Sequence, residues 1–180
     1  MRQTIYNEIQ AIVPLDNLEI QHQTEVLTWI ASGAELCRKE KPATPPKHLV
    51  SYFVLVDDEH ILLVNHKKAQ LWLPTGGHVE VNEHPQTTVI REAKEELNIT
   101  ANFLFDYPLF LTSTQTVGTT TRHTDVSLWY VLKSNKSEDF VFDKDEFESI
   151  HWFHRDAIPY TKSDPHMKRF IEKLYSKNFD

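Results

Sequence analysis

The chain has 180 residues and a mass of 21.1 kDa, a length typical of one domain with a short extension rather than two full domains. Its composition, 40% hydrophobic and 25% charged, excludes the disordered and collagen-like classes of protein. The 19 basic and 26 acidic residues give a net charge of −7, which argues against binding a nucleic-acid duplex, because duplex binding needs clustered Lys and Arg. A single nucleotide remains compatible with this charge if a divalent cation lies between its phosphates and the acids.

The first part of the chain predicts two amphipathic helices. Ile5, Ile9 and Ile12 recur at helical spacing, and a second apolar pattern runs from Leu18 to Ile30, after which Gly33 is expected to end the helix. Residues 41–47 hold three of the nine prolines and predict an extended connector. We therefore predict a helical extension with its connector at 1–47 and a second domain at 48–180.

After the connector, the sequence pattern becomes typical of β-strands. Two apolar runs, 49–56 and 61–64, flank the short polar turn 57–60 and predict a hairpin. Further strands are expected at 101–105, 126–132 and 149–153, and a helix from Pro85 to Leu97. A last helix is expected from Pro165 to Lys177, with Asp164 as its N-cap. Strands around a helix, followed by a terminal helix, indicate an α+β layered domain.

The cysteine count and the N-terminal sequence predict the cellular compartment of the protein. Cys37 is the only cysteine and cannot form an internal disulfide, and the first residues lack the pattern of a secretory signal. The longest apolar run, near 52–56, is far shorter than the roughly 18 residues of a membrane helix. We expect a cytoplasmic protein that is not integral to a membrane.

A stripe of acids on the predicted helix 85–97 is the strongest chemical signal. At about 100° per residue, Glu92, Glu95 and Glu96 share one helix face. Like charges at these spacings, and acids in the last helical turn, each cost a few tenths of a kcal/mol to about 1 kcal/mol. A bound divalent cation would make this clustering of negative charges favourable. An all-oxygen ligand set suits Mg²⁺ or Mn²⁺. A solvated acidic face, partly neutralised by Arg91, is the alternative interpretation.

The spacing around this stripe decides between the two interpretations. Residues 77–99 read GHVEVNEHPQTTVIREAKEELNI, which follows the adjacent pair Gly76 and Gly77. This run resembles the box of the Nudix hydrolase family: a glycine, five residues, a glutamate, seven residues, then Arg-Glu-apolar-x-Glu-Glu-x-Gly-apolar. Asn98 stands where the motif has its last glycine, and asparagine is the usual substitute for glycine at the left-handed position after a helix.

The resemblance implies a fold, an activity and a set of site residues. The fold would be a Nudix-type α/β/α sandwich with a mixed sheet, here preceded by the helical extension. The activity would be cation-dependent cleavage of the diphosphate bond in a nucleoside diphosphate linked to another group, with Mg²⁺ or Mn²⁺ as cofactor. The implied cation ligands are Gly77 through its carbonyl, Glu92, Glu95 and Glu96. Arg91 and Glu83 would pair and support the loop.

The sequence offers two candidates for the general base and three for substrate contacts. Glu92 is one candidate base, and Glu146, in an acid-rich stretch near the strand 149–153, is our preferred one; a solvated surface loop explains that stretch about equally well. Three further side chains are candidates for substrate contact: Trp72, His78 and His123. Among the ten histidines only His151 and His154 show even a weak zinc-ligand spacing. The hydroxyl-rich stretch 112–121 is expected to be a loop bordering the leaving group or base.

Three functions compete. A cation-dependent nucleotide pyrophosphohydrolase is the first. A Nudix-fold domain that senses a nucleotide without hydrolysing it, and signals through its N-terminal helices, is the second, although a sensor needs no complete acidic stripe. A calcium-buffering acidic helix is the third and leaves the glycine pair unexplained. The N-terminal helices are equally compatible with capping the pocket and with forming a homodimer.

Overall fold

The computed structural model describes residues 1–41, 44–115 and 123–176. Their helices and strands follow one another in this order: α1 Arg2–Ala11, α2 Asn17–Ala31, β1 Lys47–Asp57, β2 His60–His66, β3 Leu71–Leu73, β4 Thr75–His78, α3 Pro85–Leu97, β5 Phe110–Gln115, β6 Thr124–Lys133, β7 Phe147–His154 and α4 Met167–Ser176. Two single-turn 3₁₀ helices separate β7 from α4. No described helix combines the length and apolar character needed to cross a bilayer.

One mixed sheet organises the molecule. Its main order is β3-β2-β1-β6-β5, while β4 pairs with one end of β1 and β7 pairs with β2. β1 and β6 run parallel over ten residue pairs, and the other pairings are antiparallel. β1 is central because it contacts β2, β4 and β6, so its ends lie where several elements converge.

Helices cover both faces of the sheet. On one face, α1, α2 and α3 contribute Ile9, Ile30 and Val89 to a buried cluster that also contains Phe53 of β1. On the other face, α4 buries Phe170, which stacks on Trp129 at a ring distance of 5.0 Å. The expected α/β/α sandwich with a mixed sheet is confirmed. The N-terminal helices share their hydrophobic core with the sheet, and the division at 47 and 48 stays a prediction.

Local sequence signals explain how the helices begin and end. The Asp16 side chain accepts a hydrogen bond from the Glu19 amide at the start of α2. α3 begins with Pro85 in its first turn and ends before Asn98, which adopts the left-handed conformation at φ 53°. α3 therefore has the bounds expected from the sequence, and asparagine takes the place of the motif's last glycine without changing the geometry.

Two expectations were wrong. The strand expected at 101–105 is absent: Phe103 forms one isolated bridge with Leu132, and alternation in this segment reflects packing against both apolar clusters. The strand lies later, at β5, where the hydroxyl-rich stretch was expected to be a loop. Its hydroxyls do not prevent strand formation, because Thr112 accepts a buried hydrogen bond from Trp129 Nε1 at 3.1 Å. Residues 116–121 of that stretch lie outside the described part of the chain.

The remaining differences are small. α4 begins at Met167 rather than Pro165, because Pro165 and His166 form a turn instead. In this turn the Asp164 side chain accepts a hydrogen bond from the His166 amide at 2.7 Å, and the Asp164 carbonyl accepts one from the Met167 amide at 3.0 Å. The expected end at Lys177 lies outside the described residues. The expected connector already enters β1 at Lys47, and its residues 42 and 43 are also outside the described part.

Candidate active site

The glycine pair lies in β4, where strand and helix approach closely. Gly76 has φ +138°, and a Cβ there would lie 2.0 Å from the Ser51 carbonyl oxygen of β1. A Cβ at Gly77 would lie 2.0 Å from Oε1 of Glu92. Gly76 therefore has no room for a side chain, because a Cβ would meet the β1 backbone, whereas a Cβ at Gly77 would displace the Glu92 carboxylate from its position. The two glycines therefore let the acidic face of α3 approach the strand backbone.

Glu96 is a buried carboxylate with few contacts that would stabilise a negative charge. Its residue is 7% exposed, and its Oε2 accepts a hydrogen bond from the Gly76 amide at 2.9 Å. Burial raises the pKa of Glu96 to about 9, and the negative charges of Glu92, Glu146 and Asp143 add to the rise. No described residue forms an ion pair with it. Without a cation, this side chain is held as a neutral acid.

Arg91 organises the rest of the acidic stripe. Its guanidinium donates to both carboxylate oxygens of Glu83 at 3.0 Å, to Glu92 at 2.6 Å and to the His78 carbonyl at 3.2 Å. Although burial raises the pKa of Glu83, hydrogen bonds from Arg91 and others bring it below its usual value. Burial raises the pKa of Glu92 despite its contact with Arg91. Arg91 thus positions Glu92 without neutralising the stripe.

Glu95 and Glu146 are more exposed than the other two acids. The Glu95 side chain is 59% exposed and lies 3.3 Å from Arg91 Nη1. Glu146 is exposed, yet its charge raises the pKa of both Glu92 and Glu96. The loop that carries Glu146 is joined to α3 by a backbone hydrogen bond from the Asp143 amide to the Glu96 carbonyl.

A cleft of about 800 Å³ opens over these side chains. The residues proposed from the sequence that line it are Gly77, His78, Arg91, Glu92, Glu95, Glu96, His123 and Glu146. Its lining also contains four basic side chains that the motif did not indicate: Arg38, Lys39, Lys41 and Lys68. The cleft therefore combines carboxylates suited to a cation with basic groups suited to phosphate oxygens.

Trp72 has a different setting. Its ring packs edge-on against Phe153 at a centroid distance of 5.0 Å and against His151 at 6.2 Å. The described lining of the cleft does not include it. These contacts are those of a partly buried packing residue, and the substrate contact expected for Trp72 stays a prediction.

The structure brings His78 and His123 into a cluster with two residues that the sequence interpretation missed, His48 and Asp125. Single atoms from these four side chains all lie within 4.8 Å of one another. The parallel register pairs His48 with Asp125, and alternation along the strand puts His123 on the same side as Asp125. Burial, together with the charge of Arg38, lowers the pKa of His78 to about 4. The His-x-Asp spacing at 123–125 was the available signal, but His48 joins it only through the strand register.

The acidic stripe fits a hard divalent cation. Glu92 offers its carboxylate beside Gly77 and Glu96 offers its carboxylate beside the Gly76 amide, and burial raises the pKa of both acids. Mg²⁺ and Mn²⁺ prefer oxygen ligands of this kind. The residues present therefore suit the cation that the motif implies.

Comparison with known proteins agrees with this geometry. The family profile described as NUDIX domain matches residues 46–174. No curated protein sequence matches the chain at a significant level.

Several solved structures share the fold. A MutT NUDIX hydrolase from Burkholderia pseudomallei is similar at a TM-score of 0.57 with 23% identity, covering 71% of this chain and 98% of that one. A NUDIX family hydrolase from Clostridium perfringens has a TM-score of 0.55 and 24% identity, covering 72% of this chain and 97% of that one. The dihydroneopterin triphosphate pyrophosphohydrolase of E. coli has a TM-score of 0.56 and 18% identity, covering 78% of this chain and 97% of that one.

Proposed function

Because the chain belongs to the Nudix family and is a Nudix-type pyrophosphohydrolase, we propose that it hydrolyses the diphosphate bond of a nucleoside diphosphate derivative with Mg²⁺ or Mn²⁺ as its cofactor. The observation that carries this proposal is Glu96, a buried acid that faces other acids and has no ion-pairing partner among the described residues. A structural acid in that position would destabilise the fold, whereas a cation ligand gains from it.

The acidic stripe would hold the cation. We assign Glu92 and Glu96 as its main ligands, with the Gly77 carbonyl and the more exposed Glu95 as further ones. When bound, the cation would neutralise phosphate charge, stabilise the leaving group and acidify the attacking water. Arg91, by fixing Glu92 and Glu83, acts as a positioning residue.

The basic residues of the cleft give the substrate a second set of contacts. Arg38, Lys39, Lys41 and Lys68 lie in the lining of the same cleft as the acids. We assign them to the phosphate oxygens that the cation does not neutralise, because Lys and Arg donate charge-assisted hydrogen bonds to such oxygens. An acidic protein thereby accommodates a strongly anionic substrate.

Glu146 is our choice for the general base. It lines the cleft, is exposed, and interacts electrostatically with both Glu92 and Glu96. An exposed carboxylate is ready to accept a proton from water, whereas Glu92 is engaged by Arg91. Glu92 is the alternative base.

The activity named for one structural relative indicates which substrates to test first. That E. coli relative is named a dihydroneopterin triphosphate pyrophosphohydrolase. Compounds with a purine-like or pterin-like ring and a polyphosphate therefore belong in a first panel, together with nucleoside triphosphates, nucleotide sugars, dinucleotides and capped RNA. A cytoplasmic location and a homodimer stay predictions from the sequence.

The test is to incubate the protein with this panel in Mg²⁺ or Mn²⁺ and to follow phosphate products. We expect turnover of at least one compound, loss of turnover on chelation, and a reduction of at least about a hundredfold in Glu96→Gln. Glu172→Gln, an exposed acid on α4 outside the cleft, is the matched control and should keep its activity. Tight nucleotide binding without product, in wild-type protein with either cation, would overturn the proposal in favour of the sensing function.

A further inference from the structure

The cluster of His48, His78, His123 and Asp125 joins three strands at one end of the sheet. His48 lies near the start of β1, His78 ends β4, and Asp125 lies near the start of β6 with His123 just before that strand. Four donor atoms from four separate positions converge within 4.8 Å. The cluster borders the acidic stripe, but none of its members belongs to that stripe.

The hydrogen bonding of His48 shows that the cluster is incomplete. The side chain is fully buried, and its Nδ1 lies 2.9 Å from the Pro45 carbonyl oxygen, which can only accept a hydrogen bond. Nδ1 therefore carries the proton in the neutral ring, and Nε2 presents a lone pair. Nε2 lies 3.2 Å from Oδ1 of Asp125 without forming a hydrogen bond to it, and neither atom has a hydrogen-bond partner among the described residues.

A buried imidazole acceptor and a carboxylate oxygen this close together, with no hydrogen bond between them, are unfavourable unless a cation lies near both. Nε2 of His78 is also buried without a hydrogen-bond partner among the described residues. The contact from His48 Nδ1 to a backbone carbonyl is the arrangement that fixes the tautomer and ring orientation of metal-ligating histidines. The missing partner of these atoms is therefore positive and small.

The distances fit a particular kind of cation. In a tetrahedral zinc site with ligand bonds of about 2.0 Å, neighbouring ligand atoms lie about 3.3 Å apart. Asp125 Oδ1 lies 3.2 Å from Nε2 of His48 and 3.4 Å from Nε2 of His123. Imidazole ligands select zinc-like transition metals, whereas Mg²⁺ prefers oxygen ligands.

From this geometry we infer that His48, His78, His123 and Asp125 bind a second metal ion, of the Zn²⁺ type, at a site separate from the acidic stripe. Four protein ligands fill a tetrahedral shell, so this ion holds β1, β4 and β6 together at the cleft rather than activating water. His78 and His123 then act as metal ligands and not as direct substrate contacts. The inference is independent of the hydrolytic function.

Binding of Zn²⁺ and Co²⁺ to the full-length, metal-stripped protein tests the inference without any activity assay. Titration with Zn²⁺ in excess Mg²⁺ is expected to show one tight site per chain. Co²⁺ at that site is expected to give the intense visible absorption of four-coordinate cobalt, which an octahedral all-oxygen site does not give. Zn²⁺ should also raise the unfolding temperature of the protein.

The variants separate this site from the acidic stripe. His123→Ala and Asp125→Asn remove ligands that are partly exposed, which avoids the folding risk of replacing the fully buried His48. We expect each to weaken Zn²⁺ binding at least about a hundredfold, since even outer-shell changes cost ten- to a hundredfold, and to abolish the cobalt absorption. His151→Ala, an exposed imidazole outside the cluster, is the matched control and should bind normally.

Glu96→Gln keeps the two proposals distinguishable, because it should lose hydrolysis and retain the zinc site. The inference is overturned if wild-type protein takes up no Zn²⁺ in excess Mg²⁺, as expected for a cluster that holds only a proton. It is equally overturned if folded His123→Ala and Asp125→Asn proteins bind Zn²⁺ as tightly as wild type.

Discussion

Two buried glutamates, Glu19 and Glu96, lie on two helices of this protein, and they differ in their hydrogen-bond donors and in their charged neighbours. Glu19 in α2 is 0% exposed, and its carboxylate accepts hydrogen bonds from the Leu15 amide at 2.6 Å and the Leu111 amide at 3.1 Å. Lys173 of α4 supplies the counter-charge at 2.6 Å. Glu96 in α3 has one amide donor, from Gly76, and acids as its charged neighbours.

The difference teaches that burial of an acid does not by itself mark a site. Glu19 is a structural residue because the protein provides both donors and a cation, and it ties α2 to β5 and α4. Glu96 has no such cation among the described residues. The lack of a counter-charge among the described residues, rather than the presence of a carboxylate, is what supports the proposed cation at α3.

Removing the counter-charge of Glu19 should have the largest effect on stability. Lys173→Met leaves a buried, unpaired carboxylate, and we expect the free energy of unfolding to fall by about 3 to 5 kcal/mol in urea titrations. Lys168→Met, at an exposed position of the same helix, should change it by less than about 0.5 kcal/mol. If the Lys173→Met protein is as stable as wild type, the structural role of this ion pair is wrong.

Replacing Arg91 tests how far hydrolysis depends on the orientation of the acids that Arg91 contacts. Arg91→Ala removes the hydrogen bonds to Glu83, Glu92 and the His78 carbonyl. We expect kcat/KM for the substrate found in the panel to fall about ten- to a hundredfold, as for other residues that orient metal ligands. Arg91→Lys keeps the charge without the planar fork and should recover only part of the loss. Activity equal to wild type in Arg91→Ala would contradict the positioning role.

The pH dependence of stability sharpens the comparison further. The unfolded chain releases the Glu96 proton near the ordinary pKa of 4.5, whereas the folded, metal-free protein holds it up to about 9. Between these two pH values the unfolded chain is already ionised, whereas the folded protein still holds the proton. The contribution of Glu96 to the free energy of unfolding is therefore complete below pH 4.5 and is lost as the pH rises toward 9. In EDTA, the free energy of unfolding should fall by at most about 1.4 kcal/mol per pH unit over this window.

Glu96→Gln removes this titration and should flatten the pH profile in EDTA. Saturating Mg²⁺ should flatten the profile of wild-type protein as well, because a cation favours the ionised carboxylate. Identical slopes in wild type and Glu96→Gln would show that Glu96 does not titrate as its burial requires.

The smallest effect is expected at the end of α3. Asn98 already has the left-handed conformation that glycine adopts most easily, and Lys94 hydrogen bonds to its side chain at 2.5 Å. Asn98→Gly should change the free energy of unfolding by less than about 1 kcal/mol and leave hydrolysis within about twofold of wild type. A larger loss of hydrolysis would mean that the departure from the motif affects the site itself.

Sequence reasoning succeeded where a signal is local. The bounds of α3 follow from Pro85, the apolar period and the left-handed position at Asn98, all within one segment. The hairpin of β1 and β2 follows from two apolar runs around a turn. The acids of α3 share a face because helix geometry requires it.

The sequence was insufficient where contacts are distant in the chain. The segment 101–105 has the alternation of a strand, but it meets β6 only at the bridge from Phe103 to Leu132, beyond the residues 124–129 with which β5 pairs. His48 meets Asp125 only because β1 and β6 run parallel in one register. Three basic residues of the cleft, Arg38, Lys39 and Lys41, come from the segment after α2, and Lys68 follows β2. No local pattern indicates that either segment borders α3.

The most direct test of a cation at the acidic stripe is equilibrium binding of Mn²⁺, followed by electron paramagnetic resonance. The protein should first be saturated with Zn²⁺ so that the histidine cluster does not compete. Wild-type protein is predicted to bind Mn²⁺ that excess Mg²⁺ displaces, and Glu96→Gln is predicted to lose that binding while Glu172→Gln retains it. Mn²⁺ binding of equal affinity in wild type and Glu96→Gln would contradict the account.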